Sequence, residues 1–127
     1  MAIRVIGEVT KEKLEICRKA NKIVEEELRK NKIYDKFWQA FAILCNDKAT
    51  GIKGDERSYG YIVIIRIVES EEATTTNYAR VSFDVLDRIS KRITNKIKNV
   101  TWVTYAISDK PPATIEAQKN KPLKNLL

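Results

Sequence analysis

The stretch Ser108-Asp-Lys-Pro-Pro-Ala-Thr-Ile-Glu116 holds the residues of this chain best suited to chemistry. Lys110 supplies a cation and Thr114 a hydroxyl, the two groups a phosphate calls for, with a proline pair between them. Paired prolines fix φ, remove backbone donors and press the residue ahead of them, Lys110, toward an extended conformation. A segment stiffened in this way loses little entropy when it is held against a ligand. Two readings fit these nine residues: a rigid turn, or an anion-binding strap with Lys110 and Thr114 facing a phosphate.

Other chemistry is sparse. The 127 residues include no histidine, which excludes His-based triads, His-assisted zinc sites and imidazole acid–base catalysis. Cys17 and Cys45 lie in apolar stretches without metal-like spacing and read as free thiols in a reducing compartment. Glu25, Glu26 and Glu27 form a helical run rather than a metal cluster, and no nucleophile has a base beside it in sequence. Neither catalytic nor metal residues are expected. Gly51-Ile52-Lys53-Gly54 is a GxxG, and in a basic α/β chain it invites comparison with RNA-binding KH loops. Those loops join two helices, whereas this one joins two strand-like runs, so a glycine-rich strand connection is the better reading. Phosphate-loop and dinucleotide-binding glycine motifs are absent.

Length and composition describe one soluble domain, 43% apolar and 32% charged. The net charge of +7 favours anionic partners without choosing among nucleotides, nucleic acid and anionic lipid. Part of the excess sits in residues 117–127, a basic extension carrying Lys119, Lys121 and Lys124. That tail is a weak pointer to RNA. The longest apolar run, Tyr61 to Ile65, is far too short to cross a bilayer, and no signal peptide is visible. A cytoplasmic chain with no membrane partner is expected.

The elements that must position the strap can be read from periodicity. Ile3 to Ile6 predicts a short strand. Thr10 caps a helix to about Lys30 with Leu14, Cys17, Ala20, Val24 and Leu28 on its apolar face, Asn31 as its stop and a solvated charged face opposite. Phe37 to Leu44 is a strand candidate, and Asn46 to Arg57 is expected to break regular structure. Tyr59 to Val68 is β-branched and continuous, a central strand with Arg66 as its one charge. Glu69 to Arg80 reads as polar and irregular. Ser82 caps a second helix on Val85, Leu86, Ile89, Ile93 and Ile97, and Thr101 to Ile107 is the last strand.

The order is β-α-β-β-α-β, which predicts an α+β two-layer sandwich: a mostly antiparallel sheet with two helices on one face. The other face is expected to be buried in a homodimer, through Tyr61, Val63, Ile65 and Arg66, because strand 59–68 is too apolar to stand wet. Arg66 also admits a second reading, as a phosphate contact.

Several stretches together resemble one family. IRVIGEVTKEKLEICRKANKIVEEELRK, YDKFWQAFAIL, GIKGDERSYGYIVIIR, FDVLDRISKRI and SDKPPATIE are similar to the C-terminal domain of glutamine-hydrolysing GMP synthase, in the same order over about residues 2–116. The resemblance implies a dimerisation domain at 1–116 followed by the extension at 117–127. It implies part of a ligase that makes GMP from xanthosine monophosphate (XMP), ATP and glutamine. The glutaminase and ATP pyrophosphatase modules of that enzyme have no counterpart here, so the chain by itself is not expected to catalyse the reaction. A fragment and a separately encoded subunit would look alike. The resemblance implies a homodimer and an ATP pyrophosphatase module as partners, and no cofactor on this chain, although the whole enzyme uses ATP and Mg.

Carried over by position, the resemblance implies that Lys110 binds the XMP phosphate, with Thr114 and the backbone of Ile115 beside it. Glu116 and Gln39 are implied as further nucleotide contacts. Three departures bear on this. Trp102 stands where the family has a phosphate-binding arginine, and Ala106 stands where it has aspartate. Asp109 places a negative charge next to Lys110. A family relative that keeps the dimer but has lost the nucleotide, acting as a scaffold or regulator, is the alternative these departures raise. A basic nucleic-acid-binding domain is another, resting on charge and the GIKG stretch.

Overall fold

The structure is a computed structural model that describes residues 4–72, 75–110 and 112–113, with the backbone alone for 70–72 and 75. Helix α1 spans Lys11–Lys30 and α2 spans Phe83–Lys96. Both start where the sequence says they should. The Thr10 hydroxyl accepts the Lys13 N–H at 3.2 Å, and the Ser82 hydroxyl accepts the Val85 N–H at 3.3 Å, each satisfying a helix donor that has no partner within its own helix. At the end of α1, Asn31 donates its side-chain amide to the Glu27 carbonyl at 2.7 Å. The chain then turns through Lys32, whose φ is 59°.

Four strands follow: β1 Gln39–Lys53, β2 Glu56–Glu72, β3 Thr75–Tyr78 and β4 Val100–Tyr105. Strand β2 is the centre of the sheet. Antiparallel β1 lines one of its edges; parallel β4 and antiparallel β3 follow each other along the other. A parallel β4 needs a crossover, and α2 lies within it. The expected N-terminal strand is present as a bridge from Val5 to Leu44, with Ile3 outside the described residues.

Two stretches expected to be irregular are strands. Between Asn46 and Arg57 the β1–β2 pairing continues to Lys53 and Glu56, past a bulge between Leu44 and Lys48, and turns at Gly54 with φ 64°. Glycines inside a polar run suggested a break, but Gly51 and Gly60 are where β4 lies too close for side chains: a Cβ on Gly51 would sit 3.0 Å from Thr101 Cβ. In the stretch 69–80, β-branched threonines form the short strand β3.

Side chains alternate along a strand, and this divides β2 cleanly. Tyr61, Val63, Ile65 and Ile67 enter the core beneath the helices, with Ile16, Ala20, Val24 and Leu28 of α1 and Val85, Ile89 and Ile93 of α2. Each large aliphatic group buried there contributes about 1.5–3 kcal/mol. Ile62, Ile64, Arg66 and Val68 point to the opposite face, together with their β1 partners Ile43, Phe41 and Gln39. The expected dimer set therefore mixes two faces: Tyr61, Val63 and Ile65 are covered by this chain's own helices, while Arg66 lies opposite.

The charged face of α1 is not wholly solvated either. Glu27 is buried and pairs with α2, its carboxylate 2.9 Å from Arg92 Nη1 and 3.4 Å from Arg88 Nε. Among the described residues no helix is long and apolar enough to cross a membrane.

Candidate functional site

The strap is fastened to the sheet by its backbone. Lys110 and Thr76 exchange both of their hydrogen bonds, at 2.7 and 2.8 Å, so Lys110 extends the sheet beyond β3. Asp109, which looked like a charge competing for Lys110, is turned the other way: its Oδ1 accepts the Tyr78 N–H at 2.9 Å. The Ala113 N–H returns to the Asp109 carbonyl at 2.9 Å and closes a turn just past Lys110. Turn and strap are thus compatible readings of one segment. Thr114, Ile115 and Glu116 lie outside the described residues.

Arg66 holds the approach to this turn. It is 2% exposed, and its Nη1 donates to the Ser108 carbonyl at 2.5 Å. Burial pushes its guanidinium below the usual arginine range, opposed by nearby Tyr105 and Asp109. Replacing it by methionine, the unbranched apolar side chain nearest in reach, removes a costly buried charge as well as the tether. Arg66→Met is therefore expected to change global stability by no more than about 1–2 kcal/mol. Amide exchange at Lys110 and Ala113, followed by hydrogen–deuterium exchange, should rise about tenfold or more as the turn loosens.

Register brings the polar groups together. Gln39 pairs with Val68, Val68 pairs with Tyr78, and Thr76 stands two residues from Tyr78 on the same side of β3. Directly paired residues share a face, so Gln39, Arg66, Thr76 and Lys110 lie on one face at one end of the sheet, the face opposite the helices. Gln39 and Lys110 are three strand spacings apart and two residues out of line, roughly 16 Å. Among the described residues, Gln39 Oε1 and the Thr76 hydroxyl are both buried without a hydrogen-bond partner. Sequence reasoning singled out Gln39 and Lys110 but missed Thr76, because three consecutive threonines carry no sign of which one faces the site.

Trp102 is elsewhere. It pairs with Ile62, while the strap meets β2 through Thr76 at Glu71, nine residues farther along that strand (62 to 71). Its indole N–H donates to the Thr50 carbonyl at 2.8 Å and the ring is 52% exposed. Within one chain, position 102 does not belong to the Lys110 site.

The GIKG stretch has a structural task. Lys53 reaches the C-terminal end of α2, where its Nζ donates to the Thr94 and Ile97 carbonyls, and burial lowers its pKa. A lysine satisfying helix carbonyls is not gripping a nucleic-acid backbone.

Residues 26–117 match the family model described as the GMP synthase C-terminal domain. This chain belongs to that family. Over 116 residues it is 58% identical to the glutamine-hydrolysing GMP synthase of Pyrobaculum aerophilum, covering 91% of this chain and 23% of that protein. It is 56% identical to a glutamine-hydrolysing GMP synthase subunit from Methanocaldococcus jannaschii, covering 91% and 37%. The Thermotoga petrophila GMP synthase is 53% identical, with 91% and 23% covered. As a GMP synthase C-terminal domain, the chain spans between about a quarter and two-fifths of the length of these relatives.

Proposed function

We propose that this chain is the dimerisation and XMP-binding module of a GMP synthase, acting with an ATP pyrophosphatase module and catalysing nothing by itself. The observation that carries the nucleotide part is the gathering of Gln39, Arg66, Thr76 and Lys110 on one face, with two buried polar atoms left without partners. Such atoms cost free energy in an empty site and regain it when a ligand supplies the missing bond. The separation of Gln39 from Lys110 suits a ligand with a hydrogen-bonding base at one end and a phosphate at the other.

Dimerisation draws its support from the same sheet face at the opposite end of β2. Half-buried Ile62 and Ile64 lie there beside exposed Trp102, an apolar surface a second subunit would cover. The dimer contacts move accordingly from Tyr61, Val63 and Ile65 to Ile62, Ile64 and Trp102. A second reading, a dimer that has lost the nucleotide, rests on Trp102 standing in place of the family's arginine, a position that would meet a strap only across the dimer.

A low-salt NMR titration with XMP separates the two. Saturable shifts confined to Gln39, Thr76 and the Lys110 region support the nucleotide module. A folded dimer with no shift at those residues, alone and with an ATP pyrophosphatase module added, rejects it and leaves the dimer-only relative. Sedimentation equilibrium gives the oligomeric state in the same buffer, and a monomer at about 100 µM would remove the dimer from both readings.

A further inference from the structure

Thr76 is as buried as Arg66 beside the strap, 2% exposed, and its hydroxyl has no hydrogen-bond partner among the described residues. Its backbone is fully engaged, since both its N–H and its carbonyl bond Lys110. In an antiparallel pair of that kind the two Cα atoms stand about 5.5 Å apart and the side chains leave from the same face. A hydroxyl donor without an acceptor thus sits beside the Lys110 cation. Asp109, the nearest carboxylate along the chain, is occupied by the Tyr78 N–H and does not supply that acceptor.

The polarity of the two unpartnered groups differs. At the Gln39 end the open atom is a carbonyl oxygen, an acceptor; at the Thr76 end it is a hydroxyl, able to donate. A nucleoside monophosphate has the matching order, N–H donors on its base and acceptor oxygens on its phosphate. We propose that Thr76 is a phosphate contact, its hydroxyl donating to an oxygen of the monoester that Lys110 also binds. This rests on the nucleotide-site reading above. It adds a residue outside the SDKPPATIE motif. Because the hydroxyl is sealed in the ligand-free chain, binding turns the Thr76 side chain or shifts the strap, and satisfies the open donor in doing so.

The test is calorimetric binding of XMP and of xanthosine, the same base and sugar without phosphate, to the wild-type chain and to Thr76→Val, Thr76→Ser and Lys110→Ala. Thr76→Val keeps shape and removes the hydroxyl. It should weaken XMP about tenfold and leave xanthosine unchanged, while Thr76→Ser stays within about twofold of wild type. The melting temperature of Thr76→Val should not fall, because a methyl replaces an unpartnered buried hydroxyl; Thr76→Ala serves if that variant does not fold. If Lys110→Ala weakens XMP while both hydroxyl-free variants bind it normally, Thr76 is structural only and the inference is wrong. Equal losses for XMP and xanthosine also overturn it, because the contact is then not to phosphate. A wild-type chain that ignores XMP both alone and with an ATP pyrophosphatase module added removes the nucleotide site itself.

Discussion

Lys110→Ala is expected to weaken XMP binding roughly ten- to a hundredfold, the worth of one charge-assisted hydrogen bond at about 1.5–3 kcal/mol. The substitution isolates the charge from the scaffold. Lys110 is held to Thr76 through its backbone N–H and carbonyl, and alanine keeps both, so the strap stays in place when the ammonium is removed. The loss should appear as affinity and not as a lower melting temperature. Calorimetry with the assembled enzyme measures it, since the catalytic modules are then present to complete any shared site. Added salt should narrow the difference between wild type and variant, because a partly exposed cation acting on a phosphate is screened. Lys110→Arg should recover part of the affinity through charge alone. Equal affinity in wild type and Lys110→Ala at low salt would remove Lys110 from the site.

Gly60→Ala should be the more damaging change to the fold. A Cβ at Gly60 would stand 2.7 Å from the Asn99 carbonyl oxygen and 2.8 Å from a Thr101 side-chain carbon. The carbonyl cannot swing aside, because it accepts the Tyr61 N–H at 2.7 Å and begins the pairing of β4 with β2. Overpacking against backbone at such a junction costs about 3 kcal/mol, or roughly a 10 °C fall in melting temperature for a chain of this size. Gly54→Ala provides the contrast. Nothing lies within 4 Å of its Cβ position, so the cost is only that of a φ of 64°, about 1 kcal/mol. Thermal unfolding of both variants checks the pair, and a Gly60→Ala no less stable than Gly54→Ala would mean that β4 does not pack as described.

The residues legible in advance were those whose signals are local. Thr10 and Ser82 are caps because a short side-chain oxygen satisfies a donor three residues on, and both do so. The apolar stripes of the two helices repeat at helical spacing and are buried as that spacing implies, except at Leu14 and Leu86, which stay partly exposed. Lys110 was legible as an extended residue because a proline acts on its immediate neighbour, and it pairs with Thr76 in that form. What escaped were pairings between distant residues. The arm of β1 beyond the bulge is held by its partner strand and by Thr101, whose hydroxyl donates to the Ala49 carbonyl at 2.7 Å, and no local pattern announces that. Strand β3 forms because β2 on one side and Lys110 on the other offer it hydrogen bonds.

The central strand shows the limit most plainly. A run of consecutive apolar residues, YIVIIRIV, has no alternation to reveal which side of the strand meets the helices. Tyr61, Val63 and Ile65 were as eligible for the outer face as Ile62 and Ile64 until the helices were in place.

By itself the sequence determined the two helices and their ends, the central strand, the stiffened Lys110 segment, the α+β class and the family. Each of these depends on neighbours along the chain or on recurring strings of residues. Tertiary structure alone decided which face of β2 is covered, that Thr76 lies opposite Lys110, that Asp109 turns to Tyr78, and that Trp102 pairs with Ile62, well away from the strap. Those facts follow from strand register, and register is set by the whole sheet: a shift of one residue reverses every side chain, and no short window of sequence contains both partners of a pair.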